Sequence, residues 1–353
     1  MILATGALFS APVLLHIDDI EIGGKPVHLF PDEELERLFV VDYLNETVKV
    51  VDTTLNQVVD ELDHSAYPVF CSISANYVIV SDFWGHKLDF YDRKSLDFSH
   101  AMPVRAGPGY SIVRGDLLYF VSQREFYLQV ADIRRKKVYQ EFELTGRVPK
   151  FFILDDLAIL PYYDNYHTWS RDFELEDSIG IINLSSIFRW SIEGKIKKPL
   201  NVIRLAEGRY AVAGYLDTGI HEINWGSKDV KSLVDWEGHS HIMDMIQTGG
   251  DLVVTSMSDP RLFVYNMGQG SLRKVPSLKG ILDLETMPGP YLGALSNFDE
   301  TLQVFSDDYA LIEEHPVGAY PIKAMSVGER LYVLCMDSAE INVFSIQGQA
   351  SDE

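Results

Sequence analysis

Val48-Lys49-Val50-Val51-Asp52 decides how the rest of this chain is read. It is a short apolar strand that halts at a turn-forming residue. The same phrase returns at Leu88–Asp92, Leu128–Asp132, Ile179–Asn183, Ile220–Asn224, Leu262–Asn266, Leu302–Ser306 and Ile341–Ser345. Each copy ends in Asp, Asn or Ser, and the end residues are spaced 40, 40, 51, 41, 42, 40 and 39 apart. A period near forty made of short strands predicts an all-β toroid, an eight-bladed β-propeller of four-stranded antiparallel blades.

Working outward from the phrase gives the first blade. Val27–Phe30 reads as inner strand A, Leu38–Asp42 as B, Val48–Asp52 as C and Gln57–Leu62 as outer strand D. Pro26, Pro68, Pro149, Pro199 and Pro321 announce strand A, since proline can open a strand without costing it a ladder bond. The repeated Asp, Asn and Ser stand where C turns into D, and their short side chains can bond the turn's N–H groups. Asp42, Asp82, Asp217, Asp259, Asp299 and Asp337, in or near the B–C turns, are read the same way. Few residues follow Ser345, so the eighth blade lacks a strand D. Residues 12–22 are expected to supply it and close the ring, giving one domain over 1–353.

Composition sets outer limits. The chain has 353 residues and a net charge of -22, so an acidic protein of this kind would repel nucleic acid and anionic membrane. The basic run Arg134–Lys137 reads as a solvated turn. Cys71 and Cys335 lie in apolar strand patterns and read as buried thiols, and no CxxC or CxxCH motif is present. Met1–Leu15 lacks a cationic leader and no apolar run reaches membrane-span length, which together point to a cytoplasmic protein. There is no nucleotide, haem or PQQ signal.

Residues that break a repeat carry more functional information than those that build it. Residues 161–178, the B–C connection of blade 4, run long and aromatic, with Tyr162, Tyr163, His167 and Trp169. That loop is expected to lie as a lid over the channel mouth, on the face shared by B–C and D–A loops. Before the sixth strand A, Glu237, His239 and His241 alternate onto one side of an extended chain, as a divalent-metal or acid–base set would. In blade 2, opposite blade 6, Trp84 and His86 break the B–C turn pattern. Tyr67, Tyr110 and Tyr320 from D–A turns, with His28 and Lys323 at equivalent places on two strands A, complete the expected substrate-binding set.

The phrases VKVVDTTLNQVVDEL (48–62) and LFVVDYLNETV (38–48) resemble the YVTN-type β-propeller repeat and the wider quinoprotein amine dehydrogenase-like superfamily. The resemblance covers essentially the whole chain and implies the propeller fold; its members include lactonases, lyases, dehydrogenase subunits and binding modules. The periodic tryptophans of PQQ-dependent propellers are missing, since Trp84, Trp169, Trp190, Trp225 and Trp236 share no register. The Glu237/His239/His241 triplet is distantly similar to the sets of metal-assisted propeller lyases, and no role is carried over from them. Two functions follow as expectations. One is an enzyme of lyase, hydrolase or cyclase/isomerase type acting on a small organic substrate at the mouth, with His239, His241, Glu237 and His86 as catalytic groups. The other is a non-catalytic scaffold that binds a protein partner on one face.

Overall fold

The alternation that marks strands B and C becomes burial. Leu38, Phe39, Val40 and Val41 are all inaccessible, as are Val48, Val50 and Val51. Outer strands such as Gln57–Leu62 are largely exposed instead, with only Leu62 fully buried. The computed structural model describes residues 13–162, 178–238 and 241–347. These form eight four-stranded antiparallel sheets, each a blade running A-B-C-D from the inside out. The first blade comprises Pro26–Asp32, Arg37–Asp42, Thr47–Asp52 and Gln57–Leu62, matching the sequence reading to within two residues at every end.

The core lies between blades, not within them. Phe39, Val41, Val48 and Val50 of blade 1 meet Cys71, Val78, Val80 and Tyr91 of blade 2, and comparable clusters recur around the ring. Cys71 and Cys335 are buried free thiols, and burial pushes both pKa values up, that of Cys335 to about 12.

Closure is as the sequence implies. Leu14–Glu21 is the outer strand of blade 8, antiparallel to Glu340–Ile346, with Leu14 opposite Ile346 and Glu21 opposite Glu340. The carboxylate of Glu313 in blade 7 accepts from the N–H groups of Val13 and Leu14, fixing where this strand begins.

The end residues of strand C do set the C–D turns. Asp52, Asp92, Asp132, Asn183, Asn224 and Asn266 each accept from the N–H three residues on, at 2.7–3.0 Å. At the B–C turns the rule is looser. Asp42 Oδ1 accepts from Leu44 and Asn45, and also from Lys25 of the preceding loop. Asp259 pairs with the Arg261 guanidinium instead. Strands A begin at Pro26, Pro68, Pro199 and Pro321, and also at Pro108. Pro149 differs: its strand begins only at Phe152, leaving Lys150 in the turn ahead of it. No helix among the described residues is long and apolar enough to cross a membrane.

Candidate binding and acid–base site in the central channel

Each inner strand carries a bulge or turn near its start, and the pairing beyond it defines one equivalent inward position per blade. His28 pairs opposite Val41, Phe70 opposite Ser81, Asn201 opposite Ala213, Asp283 opposite Leu295 and Lys323 opposite Leu334. Counting back from Ser111, Phe152 and Met245 places Tyr110, Lys150 and Asp244 in the same ring. Around the channel the order is therefore His28, Phe70, Tyr110, Lys150, Asn201, Asp244, Asp283, Lys323.

The ring is divided. On one side aromatic groups pack in series, His28 edge to face against Phe70 at 5.4 Å, Phe70 tilted against Tyr110 at 4.6 Å, and Tyr110 edge to face against Phe151 at 5.4 Å. His28 opens to the channel, yet protein surrounds it so closely that water solvates the imidazolium poorly. Its pKa is lowered to about 4, so the ring is neutral at pH 7.

The other side is charged. Lys323 Nζ donates to Asp283 Oδ1 at 2.7 Å, and Ala324 N–H donates to Oδ2 at 2.8 Å. Asp244 Oδ2 accepts from Leu284 N–H at 3.0 Å, and Glu285 Oε1 from Ser326 N–H at 2.8 Å. In each case a carboxylate of one inner strand binds the backbone of the next. Adjacent blades share no ladder, so these bonds join them. Burial raises the Asp283 carboxyl, with Lys323 opposing and Asp244 reinforcing. Burial also works against the Lys323 ammonium, but Asp283 outweighs it and the pKa rises, which keeps the proton on the lysine. Lys150 differs from Lys323. It has no carboxylate partner among the described residues, its Nζ lies 5.2 Å above the Phe152 ring, and burial lowers its pKa.

Above the aromatic half of the ring is a cavity of about 380 Å³. His28, Phe70 and Tyr110 form its floor, and Phe83, Gln123, Arg124 and Arg147 its walls, from B–C and D–A loops of blades 2 to 4.

The residues singled out in the sequence fall into four groups. His28, Tyr110 and Lys323 stand in the ring. Trp84, Tyr67 and Tyr320 lie on the surrounding rim: Trp84 is 54% exposed with Arg124 4.8 Å above it, Tyr67 meets Tyr43 at 5.1 Å, and burial with the Tyr43 contact raises Tyr67 to about 12. His86 is a turn residue, with φ 53° and Nδ1 accepting from Gly107 N–H at 3.2 Å. Glu237 is exposed, and His241 Nδ1 lies 3.3 Å from Ser258 Oγ with the ring edge-on to Tyr215. Tyr162 is buried in the core between blades 3 and 4, where its ring fills the space over Gly180. Tyr163, His167, Trp169 and His239 lie outside the described residues, so the Glu237/His239/His241 set is incomplete there. Among the described residues no three His, Cys, Asp or Glu side chains group as metal ligands would.

Sequence reasoning missed Phe70, Lys150, Asn201, Asp244 and Asp283. Part of the signal was present: His28 and Lys323 were already recognised as equivalent, and in seven blades the ring residue stands two after the first residue of strand A, Lys150 being the exception. Arg124 and Arg147 gave no comparable signal, because they meet only through adjacent loops.

No protein-family model matches the chain, and no curated protein matches its sequence. Solved structures do match its shape. The computationally designed protein Ika8 is 12% identical with a TM-score of 0.72, covering 93% of this chain and 99% of its own. BamB from Moraxella catarrhalis is 12% identical with a TM-score of 0.69, over 95% and 98%. The dihydro-heme d1 dehydrogenase NirN is 11% identical with a TM-score of 0.70, over 95% and 76%. At such identities the likeness shows the fold alone, an eight-bladed propeller.

Proposed function

We propose that this propeller is a small-molecule enzyme whose substrate seats in the mouth cavity and meets acid–base groups of the channel. The observation that carries this is the divided ring: an aromatic floor under a cavity, continuous with a titratable half. Lys150 is the candidate base. A lysine whose pKa burial lowers, against a weaker pull from Asp244, and which bonds no carboxylate among the described residues can take a proton from a substrate. Neutral His28 can hydrogen-bond the substrate at the floor, and the Lys323–Asp283 pair holds the local field. Such a set suits lyase, hydrolase or isomerase chemistry. Glu237, His241 and His86 belong in this reading only as rim groups, and a divalent metal would need His239 to join the first two. The repeat phrases at 38–48 and 48–62 support placing the chain among YVTN-type propellers, and the acidic charge supports a partner other than nucleic acid.

Incubation of the protein with a small-molecule extract, followed by mass spectrometry, tests the reading. The expected result is consumption of one compound class, abolished by Lys150→Met and retained by Arg134→Ala on an exposed turn. Conversion that persists in Lys150→Met removes the lysine from the chemistry.

A scaffold role is the second reading, and one observation favours it. Exposed Phe298, Tyr320, Tyr43, Leu44 and Trp84 lie in loops of blades 7, 8, 1 and 2, forming an apolar arc on the mouth face. If the extract is unchanged by the wild-type protein, this reading takes precedence.

A further inference from the structure

Most described arginines have a bonded partner. Among the described residues, Arg93, Arg105, Arg134, Arg135, Arg204, Arg209 and Arg261 pair with carboxylates. Arg37, Arg114, Arg189, Arg273 and Arg330 donate to backbone carbonyls. Two do neither, Arg124 and Arg147, and both line the mouth cavity. The acid next to Arg124 in sequence, Glu125, is taken by Arg105 at 2.9 Å. Arg124 rests on the Trp84 face, and Arg147 has a buried Nε–H with no acceptor. A buried guanidinium donor left unpaired is costly, and a bound oxygen would satisfy it.

Among the described residues, no carboxylate lines the cavity to compete. In a chain of net charge -22, a pocket whose described lining holds two guanidiniums, an imidazole and no acid is the reverse of the average surface. Backbone is shaped around it as well. Gly107 has φ +70°, and a Cβ there would stand 2.8 Å from Arg124 Cγ and 3.1 Å from Phe83. Glycine lets the Arg124 stem lie flat along the wall.

We propose that the mouth cavity binds a small organic anion, with its carboxylate held by Arg124 and Arg147 and its planar apolar body on Phe70 and Tyr110. Planar guanidinium suits a carboxylate geometrically, and the aromatic floor selects the body. This rests on the mouth cavity being a small-molecule site, and it names the class of molecule.

Ligand-observed fluorine NMR with 4-fluorophenylacetate and its neutral amide, 4-fluorophenylacetamide, tests the proposal without knowledge of the reaction. The acid is expected to bind and the amide to bind about tenfold more weakly or worse. Arg124→Gln, on an exposed side chain that leaves folding intact, and Arg147→Gln should each bring the acid towards the amide. Phe70→Ala should weaken both probes, with circular dichroism confirming the fold of each variant. Acid and amide binding equally well, or binding of the acid indifferent to both arginine variants, overturns the anion assignment and leaves the cavity a neutral site. Binding of neither probe at about 5 mM, weaker than the millimolar range, overturns the cavity as a small-molecule site as well.

Discussion

His28 shows how one residue ties the channel to the stability of the ring. Its pKa is about 4 in the folded protein against an ordinary 6.5. The unfolded chain therefore binds the proton more readily between those values. The contribution is fully present above pH 6.5 and is lost as pH falls towards 4. Because the ring opens to channel water, the effect is smaller than that of a fully enclosed imidazole. His28→Asn is expected to flatten the fall in melting temperature over this window, read by thermal unfolding at a series of pH values. An unchanged slope would mean that water in the channel solvates the imidazolium well. At this scale the sequence was partly legible: His28, Tyr110 and Lys323 were singled out, but their neighbours in the ring were not. Nothing in Asp244 or Asp283 taken alone distinguishes it from the turn-forming acids.

At the scale of the element, the turn from C to D is the unit the chain repeats. Asp52 accepts from the Thr54 hydroxyl and from the N–H groups of Thr54 and Leu55, and these bonds hold its carboxyl below the usual range, with Arg37 adding a small attraction. Asp52→Ala is expected to cost about 1 kcal/mol, the worth of a net hydrogen bond at a partly exposed site. Since the folded pKa is depressed, the difference between variant and wild type should be full above pH 4 and shrink as pH falls through the folded pKa. Urea denaturation at pH 7 and below pH 4 measures it. A gap that does not shrink would assign the stabilisation to something other than the ionised carboxylate. These turns were read correctly from sequence because each acts within four residues. Asp259 was not, because its partner Arg261 lies on the following strand and outcompetes the turn's own N–H groups.

Across the whole molecule, stability depends on closure. Leu14–Glu21 buries Leu14 and Ile20, with Val13 and Ile22 buried at its flanks. At roughly 1.5–3 kcal/mol per buried aliphatic side chain, removing the segment forfeits about 6 kcal/mol or more and bares the edge of Glu340–Ile346. A chain starting at Gly23 is expected to lose its cooperative transition near the wild-type temperature and to associate on size-exclusion chromatography. An unaltered, monomeric melt would show that the ring holds without its last strand. Glu313→Ala offers a milder version, freeing two N–H groups at the start of the strand.

The sequence by itself determined the ring. A period near forty, alternating strands, turn residues that act within four positions, and a last blade one strand short are all local patterns that recur, so eight copies reinforce one reading. The tertiary structure decided how the candidate site is assembled. Channel residues come one from each blade, and Arg124 and Arg147 come from adjacent loops, so their grouping depends on how strands bulge and blades tilt. The same limit separates Tyr162 from the mouth: its aromatic character was plain in the sequence, but only packing between blades 3 and 4 placed it in the core.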